Sequence, residues 1–105
     1  MLIYRLTPDA QTDLIEIRRF TVNQWGTAQS QKYLFELRQT IRLLAETPSL
    51  GKSRPDVESS ESSVLSFPHA SPVIYYVVHE QQLIVFGVLH KCMVPLNHLA
   101  EREVI

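Results

Sequence analysis

The sequence predicts an α+β fold in the order β-α-α-β-β-β, with a helical hairpin packed on one face of a small antiparallel sheet. Three observations carry this expectation. Two stretches have apolar residues at helical spacing and meet at Trp25-Gly26; a short β-branched and aromatic run precedes them; and the C-terminal half consists of short apolar runs separated by polar turns.

Leu2, Ile3, Tyr4, Arg5 and Leu6 form the opening strand candidate, since branched and aromatic side chains suit a pleated surface. Thr7-Pro8 stops it and starts a helix: the threonine hydroxyl is a good N-cap, proline fits the first helical position, and Asp9 suits the positive end of the dipole. Ala10, Leu14, Ile17 and Thr21 then fall at helical spacing, widened by Ile15, Val22 and Trp25, while Gln11, Asp13, Glu16, Arg18 and Arg19 read as the polar face. Gly26 ends this helix, and Thr27 is placed to cap a second one, whose stripe is Leu34, Leu37, Ile41 and Leu44 beside Tyr33 and Ala45. Thr47-Pro48 ends the second helix.

Residues 48–63 are rich in proline, serine and charge and read as a loop, solvated over 58–63. Three strands follow over 64–67, 73–78 and 83–89, the last two joined by the turn His79-Glu80-Gln81-Gln82 and apolar enough to be central. Gly87 fits a bulge or a close helix approach. The tail 94–105 reads either as a short helix over 96–102 or as extended chain. The sheet face away from the hairpin is expected to stay partly open, as an apolar binding surface.

At 105 residues and 45% hydrophobic content, residues 1–105 fit a single domain. Ten basic against eleven acidic residues argue against nucleic-acid binding by bulk charge, and no sequence-specific DNA contact is expected. Cys92 is the only cysteine, which leaves no intramolecular disulfide and fits a reducing, cytoplasmic setting; beside a strand it reads as a small buried hydrophobe. The N-terminus lacks signal-peptide features, and the runs VIYYVV and LIVFGVL are too short to span a bilayer as helices, so no membrane partner is expected.

Gly26, Gly51 and Gly87 lie apart from one another, so no phosphate-binding glycine loop exists. His69, His79, His90 and His98 lack metal-ligand spacing, and no metal or other cofactor is expected. Glu58 and Glu61 sit in the loop, where acid–base chemistry lacks rigid positioning. The basic set Lys52, Arg54, His90 and Lys91, with Arg38 and Arg42 on one helix face, is the one arrangement with chemical potential. Gathered at one groove, these residues would hold phosphates while His90 moves a proton in RNA cleavage. Otherwise the helix arginines are a solvated face, and Lys52 and Arg54 tie down a loop.

The opening strand followed by LTPDAQTDLIEI, the turn QWG, the segment TPSLGKSRPDV and the ending VIYYVVHEQQLIVFGVLHK together resemble the ParE branch of the RelE/ParE superfamily, the toxins of bacterial type II toxin–antitoxin modules. The resemblance implies a toxin that poisons DNA gyrase by binding it, without chemistry of its own. It also implies a hetero-oligomer with a cognate antitoxin that folds around the toxin. By the same pattern Arg54 matches the arginine of the loop segment and His90 the histidine closing the last strand, so the expected target- or antitoxin-binding residues are Arg54, His90, Lys91, Met93 and Val94. RelE-like relatives instead cleave messenger RNA on the ribosome, and for that alternative Lys52, Arg54, His90 and Lys91 are the catalytic candidates. The tail VPLNHLAEREVI lacks the tyrosine of that activity, which favours the ParE side. A non-toxic interaction domain on the same scaffold is a third reading. The chain departs from the ParE pattern after His90, where Lys91-Cys92-Met93-Val94-Pro95 replaces glycine, arginine and an aspartate-proline pair. That departure bears on the target more than on the class.

Overall fold

The computed structural model describes residues 2–57, 63–91, 93 and 95–104. Strand β1 (Ile3–Leu6) leads into α1 (Pro8–Trp25) through Thr7, whose hydroxyl accepts the Ala10 N–H at 3.3 Å while its own N–H donates to the Val85 carbonyl. Gly26, at φ 88°, takes the positive-φ backbone that lets α2 (Thr27–Glu46) start at once. Thr27 is the first residue of α2 and provides no side-chain cap. The two helices are joined instead by a buried 2.6 Å hydrogen bond between the Thr21 and Ser30 hydroxyls.

The expected loop after α2 is partly ordered. A 3-10 turn at Pro48–Leu50, a two-residue strand β2 (Lys52–Ser53) and a second 3-10 turn at Pro55–Val57 occupy it, and 58–62 lie outside the described residues. The buried Tyr76 hydroxyl donates to the Pro48 carbonyl at 2.6 Å, and a Cβ on Gly51 would collide with that ring, so the segment is pinned to the sheet. Burial raises the Tyr76 pKa above that of a free tyrosine.

β3 (Leu65–Pro68), β4 (Pro72–His79) and β5 (Gln82–His90) complete a five-stranded sheet in the order β1-β5-β4-β3-β2. The predicted fold class holds, and the sheet is mixed: β2 to β5 form an antiparallel meander, and β1 pairs parallel with β5 over Gln82 to Val85. The parallel pair follows from connectivity, because the helical hairpin carries the chain across the sheet and the meander then builds back toward β1.

Leu83, Val85 and Val88 of β5 face the hairpin with Ala10, Leu14, Leu37, Ile41 and Leu44, whereas Ile84, Phe86 and Leu89 face the other way with Val64, Tyr75, Val77 and Leu99. A bulge makes this possible. Tyr75 pairs with Gly87 and Tyr76 with Val85, which leaves Phe86 as the extra residue and shifts the inward phase from Val85 to Val88. The near-continuous apolar run of β5 thus reflects burial on both faces.

The far face is not open, contrary to the expectation from sequence. Tyr75, Val77, Ile84, Phe86 and Leu89 are all at most 3% exposed. A five-residue helix α3 (Pro95–Leu99) and the chain after it pack there with Val57 and Val104, and a Cβ on Gly87 would lie 2.6 Å from Leu99 Cδ2. The tail therefore takes the helical alternative only over its first part.

The β4–β5 hairpin closes on the pair His79–Gln82, so its turn is the two residues Glu80 and Gln81, at φ 49° and 64°. Both occupy the left-handed region that glycine and asparagine tolerate and longer side chains resist. Replacing Glu80-Gln81 by Asn-Gly is expected to stabilise the protein by about 1–2 kcal/mol. Thermal unfolding checks this, with a rise of roughly 4 °C or more as the expected outcome.

Candidate functional site

The structure does not bring the four basic candidates together. Lys52 pairs with Ser66, Ser66 with Tyr75 and Tyr75 with Gly87, so Lys52 sits level with Gly87, whereas His90 lies three residues further along and pairs with Pro72. Strand geometry separates the Lys52 and His90 backbones by about 14 Å across the sheet and about 10 Å along it. Arg54 follows β2 toward the opposite end, its N–H bonded to the Val64 carbonyl. His90 and Lys91 are neighbours at the exposed end of β5 with Met93, which is 36% exposed; Val94 and Cys92 lie outside the described residues.

Arg54 is engaged within the chain. Its Nε and Nη2 donate to the two carboxylate oxygens of Asp56 at 2.9 and 2.7 Å, Nη1 reaches the Ser66 and Tyr75 hydroxyls at 3.3 and 3.4 Å, and its guanidinium lies 5.3 Å from the Tyr75 ring centre. The two-pronged geometry is the strongest pairing an arginine makes with a carboxylate. The hydrogen bonds to Asp56 raise the arginine's pKa, and Arg54 in turn holds the Asp56 carboxyl below the usual aspartate range. This arrangement corresponds to the loop-tying alternative for Arg54 rather than to a cation open to a phosphate.

A second ion pair joins Asp13 to Arg102, and the sequence pattern does not predict it. Asp13, read from sequence as polar face, is 7% exposed and points inward. Its carboxylate accepts the Val88 N–H at 3.0 Å and both terminal nitrogens of Arg102 at 2.6 and 3.0 Å, while Arg102 also donates to the Phe86 carbonyl at 3.1 Å. The hydrogen bonds that Arg102 donates to Asp13 raise its pKa, outweighing its burial. The sequence held one signal of this: Asp13 lies three residues after Ala10 and four before Ile17, inside the apolar stripe.

Most of the exposed large apolar side chains lie on the two long helices, with Ile3 of β1 and Val78 of β4 exposed at the sheet. Ile15, Trp25, Phe20 and Phe35 are between 51% and 61% exposed, so Ile15 and Trp25 do not belong to the core as their spacing suggested. Between α1 and α2 runs an open groove of about 380 Å³, floored by Leu6, Leu14, Ile15 and Leu34 and edged by Gln11, Arg18 and Arg38. Next to it on α1, Arg18, Arg19, Val22 and Asn23 line a further depression with Ile15. Arg42, one turn beyond Arg38, is also exposed. A chain with a formal charge of −1 thus gathers arginines around an apolar groove. Among the described residues no group of three or more histidine, cysteine or acidic side chains could hold a metal ion, and no helix is long and apolar enough to cross a membrane.

Comparison with known proteins adds to this geometry. The family described as "ParE toxin of type II toxin-antitoxin system, parDE" matches residues 4–95. "Toxin ParE1" of Caulobacter vibrioides is 32% identical over 96 residues, covering 91% of this chain and 96% of the relative. "Toxin ParE1" of Mycobacterium tuberculosis is 32% identical over 90 residues, covering 86% of this chain and 90% of the relative. A solved structure described as "Chromosomal ParDE TA system from P. aeruginosa" superposes with a TM-score of 0.69 at 18% identity, over 86% of this chain and 96% of that one, a likeness of fold.

The Arg54–Asp56 pair has a pH signature. Because the folded Asp56 pKa is depressed, the pair's contribution is present above the unfolded aspartate pKa and is lost only as pH falls through the lower folded value. An NMR titration of the Asp56 carboxyl carbon is expected to give a midpoint below that of a free aspartate, rising toward the ordinary value in Arg54→Met.

Proposed function

The chain belongs to the ParE toxin family of type II toxin–antitoxin systems, and we propose that it arrests growth by binding DNA gyrase, without chemistry of its own, until a cognate antitoxin silences it. The observation that carries the binding reading is the dispersal of the basic candidates: Lys52 and His90 lie three strands apart, and Arg54 is committed to Asp56 and Tyr75. Ribonuclease chemistry needs a proton-transfer group and phosphate-stabilising cations within hydrogen-bond reach of one substrate atom. The dispersal supports a docking protein over a ribonuclease. The choice of gyrase follows the family resemblance, and a cytoplasmic location goes with that target.

The exposed end of β5, with His90, Lys91 and Met93, is the target contact in this reading, and it extends to Val94 by sequence position. Arg54 leaves that set, because its guanidinium is held inside the chain. The antitoxin contact is the α1–α2 groove. An apolar floor of Leu6, Leu14, Ile15 and Leu34 edged by Arg18 and Arg38 fits an acidic amphipathic segment, whose apolar side fills the groove while its carboxylates meet the arginines. A segment that folds as it docks also suits a surface this open.

Purified gyrase tests the target. The protein is expected to inhibit DNA supercoiling, and no inhibition and no stabilised cleavage complex at any concentration would remove gyrase as the target. Deleting the whole tail is a poor probe, since it also removes Leu99 from the far-face core and strips Asp13 of its guanidinium. Lys91→Glu with Met93→Ser leaves those contacts in place and is expected to abolish inhibition, whereas His90→Ala retains part of it.

The partner surface is tested with the product of a short reading frame adjoining the gene. Arg18→Glu with Arg38→Glu is expected to weaken its binding at least about tenfold and to flatten the salt dependence. Lys52→Glu, on β2 at the other edge of the sheet from the groove residue Leu6, serves as the control and leaves binding within about twofold.

A further inference from the structure

After β5 the chain leaves the sheet and returns to it. The Lys91 N–H donates to the Ser71 carbonyl at 2.8 Å and the Met93 N–H to the His90 carbonyl at 2.9 Å, so the chain turns sharply beyond the strand. It then crosses the far face, where Leu99 fills the notch left by Gly87 and Arg102 reaches Asp13 and Phe86. The turn carrying Lys91 and Met93 is therefore held from both sides, by the sheet before it and by Arg102 after it.

The second anchor is the Arg102 junction more than the helix that precedes it. α3 has five residues, too few to be stable by itself, and Ala100, Glu101 and Glu103 are exposed. The junction, by contrast, joins three parts of the chain: the carboxylate comes from α1, the Val88 N–H and Phe86 carbonyl from the bulged part of β5, and the guanidinium from the tail. Removing either charge leaves the other buried without its partner, which releases the tail. A segment already held in its docking conformation loses less freedom on binding than a free one, so this anchor acts on the affinity of whatever Lys91 and Met93 touch.

We propose that Asp13 and Arg102 are positioning residues for the target contact: their buried junction fixes the C-terminal segment and, through it, the turn at Lys91 and Met93 in the conformation that docks. This rests on the reading that the end of β5 contacts the target. Asp13 faces inward, whereas Ile15 and Arg18 of the same helix line the outer groove, so binding at the groove is an independent measure of whether the helices remain intact.

The test uses the full chain carrying Asp13→Asn, Arg102→Gln or Arg102→Lys. Three quantities are read: inhibition of gyrase supercoiling, affinity for a synthetic leucine- and glutamate-rich amphipathic peptide at the groove, and amide hydrogen exchange across 95–104. Asp13→Asn and Arg102→Gln are expected to raise the half-inhibitory concentration at least about tenfold. They are expected to leave peptide affinity within about twofold and to speed exchange across 95–104. Arg102→Lys, which keeps a cation but loses the two-pronged geometry, falls between them and the wild type. Faster exchange with unchanged inhibition would overturn the proposal, as would a parallel loss of inhibition and peptide affinity. If the wild type itself fails to inhibit gyrase, the target reading falls alone; the doses of wild type and variant that arrest growth are then compared, and equal doses overturn the positioning role. Should Asp13→Asn not fold, Arg102→Lys carries the same comparison.

Discussion

The hydrogen bonds that Asp13 and Arg102 make to the backbone of β5 are the constraint around which the rest of this structure is arranged. β1 ends at Leu6 and accompanies β5 only as far as Val85, so the β5 edge continues without a strand partner. Backbone polar groups cannot be buried there unpaired. A Thr7 hydrogen bond to the Val85 carbonyl, an Asp13 carboxylate on the Val88 N–H and an Arg102 guanidinium on the Phe86 carbonyl complete the edge in turn. Among the described residues no buried side-chain polar atom is left without a partner. The solution fixes where α1 crosses the sheet, because the carboxylate has to arrive six residues, about one and two-thirds turns, after the cap at Thr7. It also makes the bulge at Phe86 useful, since the displaced carbonyl is the one the arginine takes.

An ion pair of this kind is weak evidence for stability in itself, since desolvating both charges offsets much of their attraction. Its effect is on which conformation is chosen. With Asp13 buried, the tail is drawn over the far face, where Leu99 closes the notch at Gly87 and helps cover Tyr75, Ile84 and Phe86. The face that the strand pattern suggested as a binding surface is therefore used internally. Much of the apolar surface that remains is on the helices, at Ile15, Phe20, Trp25 and Phe35, with arginines beside the groove.

The sequence was informative wherever a property repeats along an element. The cap at Thr7-Pro8, the turn at Gly26, the stop at Thr47-Pro48 and the three C-terminal strands were all legible, because each rests on local dihedral preference or on apolar period. The parallel β1–β5 pair was not, since pairing direction is decided by the path of the hairpin and not by strand composition. Ile15 and Trp25 are exposed although they extend the apolar sector, because helical spacing gives the width of that sector but not how much of it the sheet can cover. Asp13 and Arg102 stand 89 positions apart, and no local pattern links a carboxylate on a stripe to a lone tail arginine. Arg54 was legible only as a choice between a tether and a ligand, and it took the position of Asp56 and Tyr75 to favour the tether.

That last choice shapes what a scaffold of this size can do. A catalytic surface needs charged groups whose hydrogen-bonding capacity is left for the substrate, held rigid by neighbours that do not consume it. Here the best-anchored cations are anchored by consuming them: Arg54 meets a carboxylate through two nitrogens and a tyrosine face through its plane, and Arg102 meets a carboxylate and a carbonyl. The arginines around the groove, Arg18 and Arg38, instead border apolar floor on an open surface. Rigid cations inside and open ones around an apolar groove support the proposed docking reading over the ribonuclease alternative. A partner seated in that groove would also add stability by mass action, which matters for a chain of 105 residues that leaves several large apolar side chains in water.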